Sequence, residues 1–231
     1  MLRAIIFDFN GVILDDEPLH FQSMKDTVAS IGIHISEAEY WSRYLPLDDA
    51  SCLEAICRDN GRKLDDGERR KLMALKGLSY RELLQDRQPL FPGAADFVRA
   101  AAARYPLALA SGARRDEIEA TLRAAELTQY FRVIVAAEDF VLGKPHPESY
   151  LFALELLNRK LNGEARRILP RECLVVEDSA GGVKGARSAG MLCLALTNTY
   201  PMESLDAANR IVSSFSEVEI DELARLWQEP A

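Results

Sequence analysis

A chain of 231 residues, 48% of them apolar, can bury a sizeable core as one large domain or as a domain with a smaller insert. Its net charge of −8 argues against a nucleic-acid or anionic-membrane partner, because a phosphate polymer is repelled at long range, so a small anionic ligand must be held by local groups. The sequence shows no basic leader with an apolar core and no run of about 18 apolar residues, which makes the cytoplasm the expected compartment.

The chain begins in a continuous apolar run at residues 2–8, the pattern of a strand buried on both faces, and this run ends in Asp8, Phe9, Asn10 and Gly11. From Asp16 to Gln85 no convincing strand appears. Helical periodicity runs instead through residues 50–58 and 67–85, and the stretch closes on the Pro/Gly-rich return of residues 88–93. This predicts a helical domain over residues 16–88, inserted into a core made of 1–15 and 89–231. Beyond the insert, strands at 107–111, 133–136, 173–178 and 192–197 alternate with helices near 92–104, 114–125, 147–160 and 180–189. The fold class is therefore α/β with a parallel sheet. Cys52, Cys57, Cys173 and Cys193 make no Cys-x-x-Cys pair and read as packing thiols.

Ligands of open parallel sheets bind at the carboxyl ends of the strands, and four such ends carry polar residues. They are Asp8 with Asn10, Ser111 with Gly112, Gly143 to Pro147 around Lys144, and Glu177 to Gly182. Taken singly, an Asp or a Ser-Gly in such a place is an ordinary turn or helix cap. Adjacent carboxylates ending a buried strand are harder to dismiss, because Glu177 and Asp178 repel each other unless a cation lies between them. Carboxylates at two strand ends suit Mg²⁺, which prefers oxygen ligands shared with a substrate phosphate. Ser111 and a flanking backbone N–H suit phosphate oxygens, and Lys144 supplies a point charge. His34 and His146 read as solvated, and the cluster Arg58, Arg62, Lys63, Arg69, Arg70 and Lys71 reads as a solvated helical face with interleaved acids.

This set of motifs, in this order, resembles the haloacid dehalogenase-like superfamily, in particular its subgroup of β-phosphoglucomutase-like and phosphoglycolate-phosphatase-like members. The resemblance spans nearly the whole chain. It rests on Asp8 to Gly11, on Ser111-Gly112, on Gly143-Lys144-Pro145 with Pro147, and on Glu177-Asp178-Ser179 with Gly182; Asp15 to His20 resembles the family's passage into its cap. The resemblance implies a Rossmann-like core with an inserted all-helical cap, and a phosphatase acting on a small phosphorylated metabolite such as a sugar phosphate. It also implies Asp8 as nucleophile, and Ser111 and Lys144 as phosphate ligands beside Gly11 and Gly112. His20 becomes a substrate or hinge contact. Mg²⁺ is held by Asp8, the Asn10 carbonyl, Asp178 and Glu177, the last two directly or through water. Oligomeric state is left open, and a monomer is compatible with the sequence.

Asn10 departs from the family pattern, which has a second aspartate there to shuttle protons. An amide still offers a main-chain carbonyl to a metal, but it cannot exchange a proton at neutral pH. Asn10 is catalytic in the family's sense only through that lost function. The replacement reads as an engineered trap, a compensated natural change, or the mark of a phosphometabolite-binding sensor; Asn10-Gly11 is also a sequence prone to deamidation. A hexose-phosphate mutase is the alternative enzyme. Asp48 and Asp49 stand where related mutases carry a Gly-x-Ser-Arg-like segment, which disfavours it. A dehalogenase has no use for Glu177-Asp178, and a phosphonatase needs a cap lysine, for which Lys76 is the one candidate.

Overall fold

The computed structural model describes residues 1–45, 47–86, 89–161 and 166–227. Pro46 and Gln88, which fall in segments the sequence reading uses, lie outside them. The chain divides into two compact units, Met1–Asp15 with Pro89–Ala231, and Asp16–Gln88.

The first unit is a six-stranded parallel sheet in the order β3-β2-β1-β4-β5-β6. Its strands are β1 (Ala4–Phe7), β2 (Leu107–Ala110), β3 (Phe131–Val135), β4 (Cys173–Glu177), β5 (Leu192–Leu196) and β6 (Arg210–Val212). Helices Ala94–Ala102, Arg115–Ala124, Glu148–Lys160 and Ala180–Ser188 flank it, giving the Rossmann-like α/β fold. A parallel sheet is covered on both faces, so its inner strands are apolar at every position; β1 and β2 are buried throughout. On one face Ala4, Ile6 and Val175 share a core with Tyr150, Leu154 and Leu157 of helix Glu148–Lys160. On the other, Phe7 meets Phe97 and Phe131 edge-on, with ring centroids 6.1 and 5.8 Å apart.

Two strands depart from the sequence reading. β3 starts at Phe131, two residues early, because it is an edge strand in which exposed Arg132 interrupts the apolar run. Its outer carbonyls are sealed by side chains: Lys160 Nζ donates to Arg132 O at 2.7 Å and Arg115 Nη2 to Ile134 O at 3.2 Å, which blocks pairing with another chain. β6 was not anticipated. Three residues between Asn209 and Ser213 are too short a run to carry a period.

The second unit is helical over Glu17–Ala29, Asp49–Asp59 and Asp66–Asp86, around Phe21, Met24, Val28, Tyr40, Leu53, Ile56 and Leu72. Helix Glu17–Ala29 hides its period because its buried face includes Ser23 and Thr27, whose hydroxyls bond back to the carbonyls of His20 and Ser23. Asp48 caps the next helix through the N–H groups of Ala50 and Ser51. Arg62 pairs with Glu68, and Arg69 with Glu54 and Asp66. Among the described residues no helix is long and apolar enough to cross a membrane. All four cysteines are buried and free.

Candidate active site

β1 and β4 are neighbours where the strand order reverses, the position at which open parallel sheets form their ligand crevice. Asp8 follows β1 and donates its backbone N–H to Val176 O at 2.9 Å, extending the pairing by one residue. Glu177 ends β4 and Asp178 follows. All three carboxyls are buried, and each offers an oxygen within 4.8 Å of the others, an acidic cluster that could hold a metal ion. Lys144 reaches into it from the loop before helix Glu148–Lys160, with Nζ 2.7 Å from Asp8 Oδ1 and 2.5 Å from Glu177 Oε1.

Glu177 is saturated by the protein. Its Oε1 accepts from Lys144 and from the Tyr150 hydroxyl at 2.6 Å, and its Oε2 accepts from the N–H groups of Asp178 and Ser179 and from Ser179 Oγ. Ser179 is also the N-cap of helix Ala180–Ser188, taking the Gly182 N–H at 3.0 Å. The packing there needs glycine: a Cβ on Gly182 would fall 1.7 Å from Glu177 Oε1. Gly182→Ala is therefore expected to push Glu177 off its donors and to cost on the order of 3 kcal/mol, read as the shift in a urea unfolding midpoint.

The loop that follows β1 folds back on itself after Asp8. Phe9 O accepts the N–H groups of Ile13 and Leu14, and Gly11 N–H donates to Leu14 O at 2.9 Å. Gly11 has φ +74°, and a Cβ there would lie 1.9 Å from Asp178 Oδ2, so the bare Cα is what lets the two strand ends close. The bond to Leu14 also occupies the nitrogen that would attack the Asn10 amide, which retards the deamidation that Asn10-Gly11 invites. From the turn after β5, Asn198 Nδ2 donates to Gly11 O at 2.8 Å.

Ser111 follows β2 beside β1 and is 2% exposed. Its Oγ accepts from Ala113 N–H at 3.1 Å, which leaves the hydroxyl proton to donate to a ligand oxygen. Gly112, next to it, is exposed.

Three carboxyls share one partly buried ammonium, and the charges adjust. Burial, with Glu177 adding to it against the pull of Lys144, raises Asp8 from the ordinary 3.8 to about 7. Burial and the charges of Glu177 and Asp8 push Asp178 up as well. Burial opposes charge on Glu177 too, but Lys144 and the Tyr150 and Ser179 donors outweigh it and hold Glu177 low. Lys144 is held above its ordinary value, against burial, by Asp8 and Glu177. A raised carboxyl keeps in the folded state a proton that the unfolded chain has lost. The contribution of Asp8 to stability is thus full below about pH 4 and falls as pH rises to about 7. In a chelating buffer, urea midpoints are expected to decline across that window.

His20 lies in the second unit, within a cluster of its own. Its Nε2 is 3.1 Å from Asp16 Oδ2, which also accepts the Tyr80 hydroxyl at 2.7 Å. Buried Lys76 sets Nζ 2.6 Å from His20 Nδ1 and 2.7 Å from Asp49 Oδ2. Burial opposes charge on the ring, whereas Asp16 and Asp49 favour it and would hold the proton up to about 9. The Lys76 contact decides otherwise, because an ammonium at 2.6 Å needs an unprotonated Nδ1; we assign His20 as neutral, donating through Nε2. His34 and His146 are exposed.

The structure therefore brings Asp8, Gly11, Lys144, Glu177 and Asp178 together in the first unit, with Ser111 on the adjoining strand. The sequence reading missed Tyr150 and Asn198. Tyr150 occupies a helix position that the apolar pattern assigns to core and gives no other signal. Asn198 was within reach: it follows β5, and the strand-end rule that found the other residues applies to it equally.

A family model described as haloacid dehalogenase-like hydrolase matches residues 2–190. A phosphorylated carbohydrates phosphatase of Thermotoga maritima is 31% identical over 198 residues, 82% of each chain. The β-phosphoglucomutase of Bacillus subtilis is 26% identical over 233 residues, 99% of this chain and 96% of that one. Among solved structures, an aspartate-to-asparagine mutant of CbbY from Rhodobacter sphaeroides, in complex with xylulose-1,5-bisphosphate, superposes with a TM-score of 0.73 at 26% identity, covering 94% of this chain and 96% of that one.

Proposed function

The chain belongs to the haloacid dehalogenase-like hydrolases, and on that premise we propose that this phosphoric monoester hydrolase is a Mg²⁺-dependent phosphatase of a small phosphorylated sugar, working through a phospho-Asp8 intermediate and slowed by Asn10. The observation that carries the reading is the buried cluster of Asp8, Glu177 and Asp178 on a single lysine, a site with excess negative charge that a cation would balance.

In this reading the Asp8 carboxylate attacks phosphorus as the ester P–O bond breaks and the leaving oxygen takes the electron pair. Lys144 and the Ser111 hydroxyl hold the phosphoryl oxygens, with Gly11 and Gly112 beside them. Asp8, the Asn10 carbonyl and Asp178 would hold Mg²⁺, with Glu177, whose oxygens accept five protein donors, fixing Lys144 beside them and adding its charge to the site. When bound, Mg²⁺ supplies charge neutralisation and orientation of the phosphoryl group. Asn10 neither protonates the leaving alkoxide nor activates water against phospho-Asp8. The phosphorylated carbohydrates in the name of one relative and the sugar bisphosphate bound to another support a sugar phosphate as the substrate class. The 16–88 unit serves as the cap, with His20 as its substrate or hinge contact. Cytoplasmic residence fits the four free buried thiols.

A mutase would need a cation in the segment of residues 45–49 to grip a second phosphate. Asp48 is instead spent on a helix cap and Asp49 on Lys76. The sensor reading is favoured by one observation, Asn10 itself beside otherwise complete ligands. Phosphate release from a panel of sugar phosphates, measured with Mg²⁺ and with chelator, tests the proposal. Release should require Mg²⁺ and vanish in Asp8→Asn. Release that persists in Asp8→Asn contradicts the nucleophile, and inert enzyme with Mg²⁺-dependent ligand binding establishes the sensor.

A further inference from the structure

We propose that Asn198 clamps the nucleophile loop in place beside Asp178 before any ion arrives, which makes Asn198 a positioning residue of the metal site. The proposal rests on the Mg²⁺ reading above. Asn198 follows β5, and β4 lies between β5 and β1. To donate to Gly11 O at 2.8 Å, its side chain and turn must bridge two strand spacings, roughly 9–10 Å, across the end of β4 where Asp178 stands. One amide thus holds the nucleophile loop at the point where it comes against Asp178.

Something must hold these partners together without the ion. Asp8 and Asp178 are buried carboxyls with ligand oxygens within 4.8 Å, and the loop bearing Asp8 and Asn10 is a tight turn whose internal bonds fix its own shape. Those internal bonds do not fix where the turn sits relative to β4. Gly11 is the residue of closest approach, since the space its Cβ would fill is taken by Asp178 Oδ2, and its carbonyl is the one Asn198 holds. An amide suits this position, because it donates strongly to a carbonyl yet adds no charge to a cluster already rich in carboxylates. Groups that orient metal ligands from behind in this way typically change metal affinity by about 10–100-fold when removed.

The test is Mg²⁺ titration calorimetry on the full chain freed of metal, with no substrate present. Asn198→Ala is expected to bind Mg²⁺ about tenfold or more weakly per folded molecule, with folding verified by its urea midpoint in chelator. Asn198→Ser, whose side chain is too short to reach Gly11 O, should also weaken binding, while Asn198→Gln, which keeps the amide donor, should retain more of it; this pair decides the matter if Asn198→Ala does not fold. Unchanged Mg²⁺ affinity in Asn198→Ala, or a loss of stability alone, overturns the clamp while leaving the metal site intact. A wild-type chain that binds no Mg²⁺ overturns the metal reading and the clamp with it.

Discussion

Asn10→Asp is expected to raise turnover of alkyl phosphates by about 10²–10⁴-fold, the range that general acid–base catalysis contributes. The gain should shrink as the leaving group improves. An alkoxide is a poor leaving group and needs a proton as it departs, whereas a phenolate or a carboxylate leaves without one. Asn10 cannot deliver that proton, but Asp8, buried at the end of β1 and paired with Lys144, remains as the proposed nucleophile. For aryl or acyl phosphates the restored aspartate should therefore act mainly on the second step, where water attacks phospho-Asp8. A plot of the rate gain against leaving-group pKa should have a positive slope. If the variant gains nothing on any ester, the missing proton shuttle is not what limits this protein.

Lys144→Met should be the most destabilising single change at the site, by about 3–5 kcal/mol in chelating buffer, because it leaves buried carboxylates without their cation. Methionine keeps an unbranched apolar stem over the Tyr150 ring, which Lys144 Nζ approaches to 5.3 Å, so the loss reports charge more than packing. The cost depends on pH. Asp8, already raised to about 7, can take up a proton in place of the lost ammonium, which softens the defect in acid and exposes it above neutrality. Added Mg²⁺ should recover part of the stability. Urea unfolding at about pH 5 and pH 8, with chelator or Mg²⁺, checks each part; a loss below about 1 kcal/mol at pH 8 would mean that Lys144 is not the group that compensates the cluster.

Much of the site was legible because a parallel sheet places all its strand ends on one side. Reading the residues just after each apolar run located Asp8, Ser111, Glu177 and Asp178, and the proline-flanked Lys144 came with them. The glycines showed less: the sequence marks Gly11 and Gly182 as turn residues, but only the folded chain shows that each lies against a carboxylate that a methyl group would displace. Tyr150 was illegible, since an aromatic on the buried face of a helix looks the same whether its hydroxyl meets water or Glu177. β6 was lost to its brevity, and helix Glu17–Ala29 to the small polar residues on its inner face. The Lys76, His20 and Asp49 cluster could not be foreseen, because it joins three helices far apart in sequence.

The most direct test of the central claim is rapid-quench intact-mass spectrometry of the chain mixed with an aryl phosphate and Mg²⁺. Phosphoryl transfer to Asp8 should be fast, because the leaving group needs no proton, and hydrolysis slow, because Asn10 cannot activate water. A species heavier by one phosphoryl group should accumulate, map to Asp8, and decay faster in Asn10→Asp. Substrate consumption with no adduct on Asp8, or an adduct whose lifetime is the same in both proteins, would contradict the account.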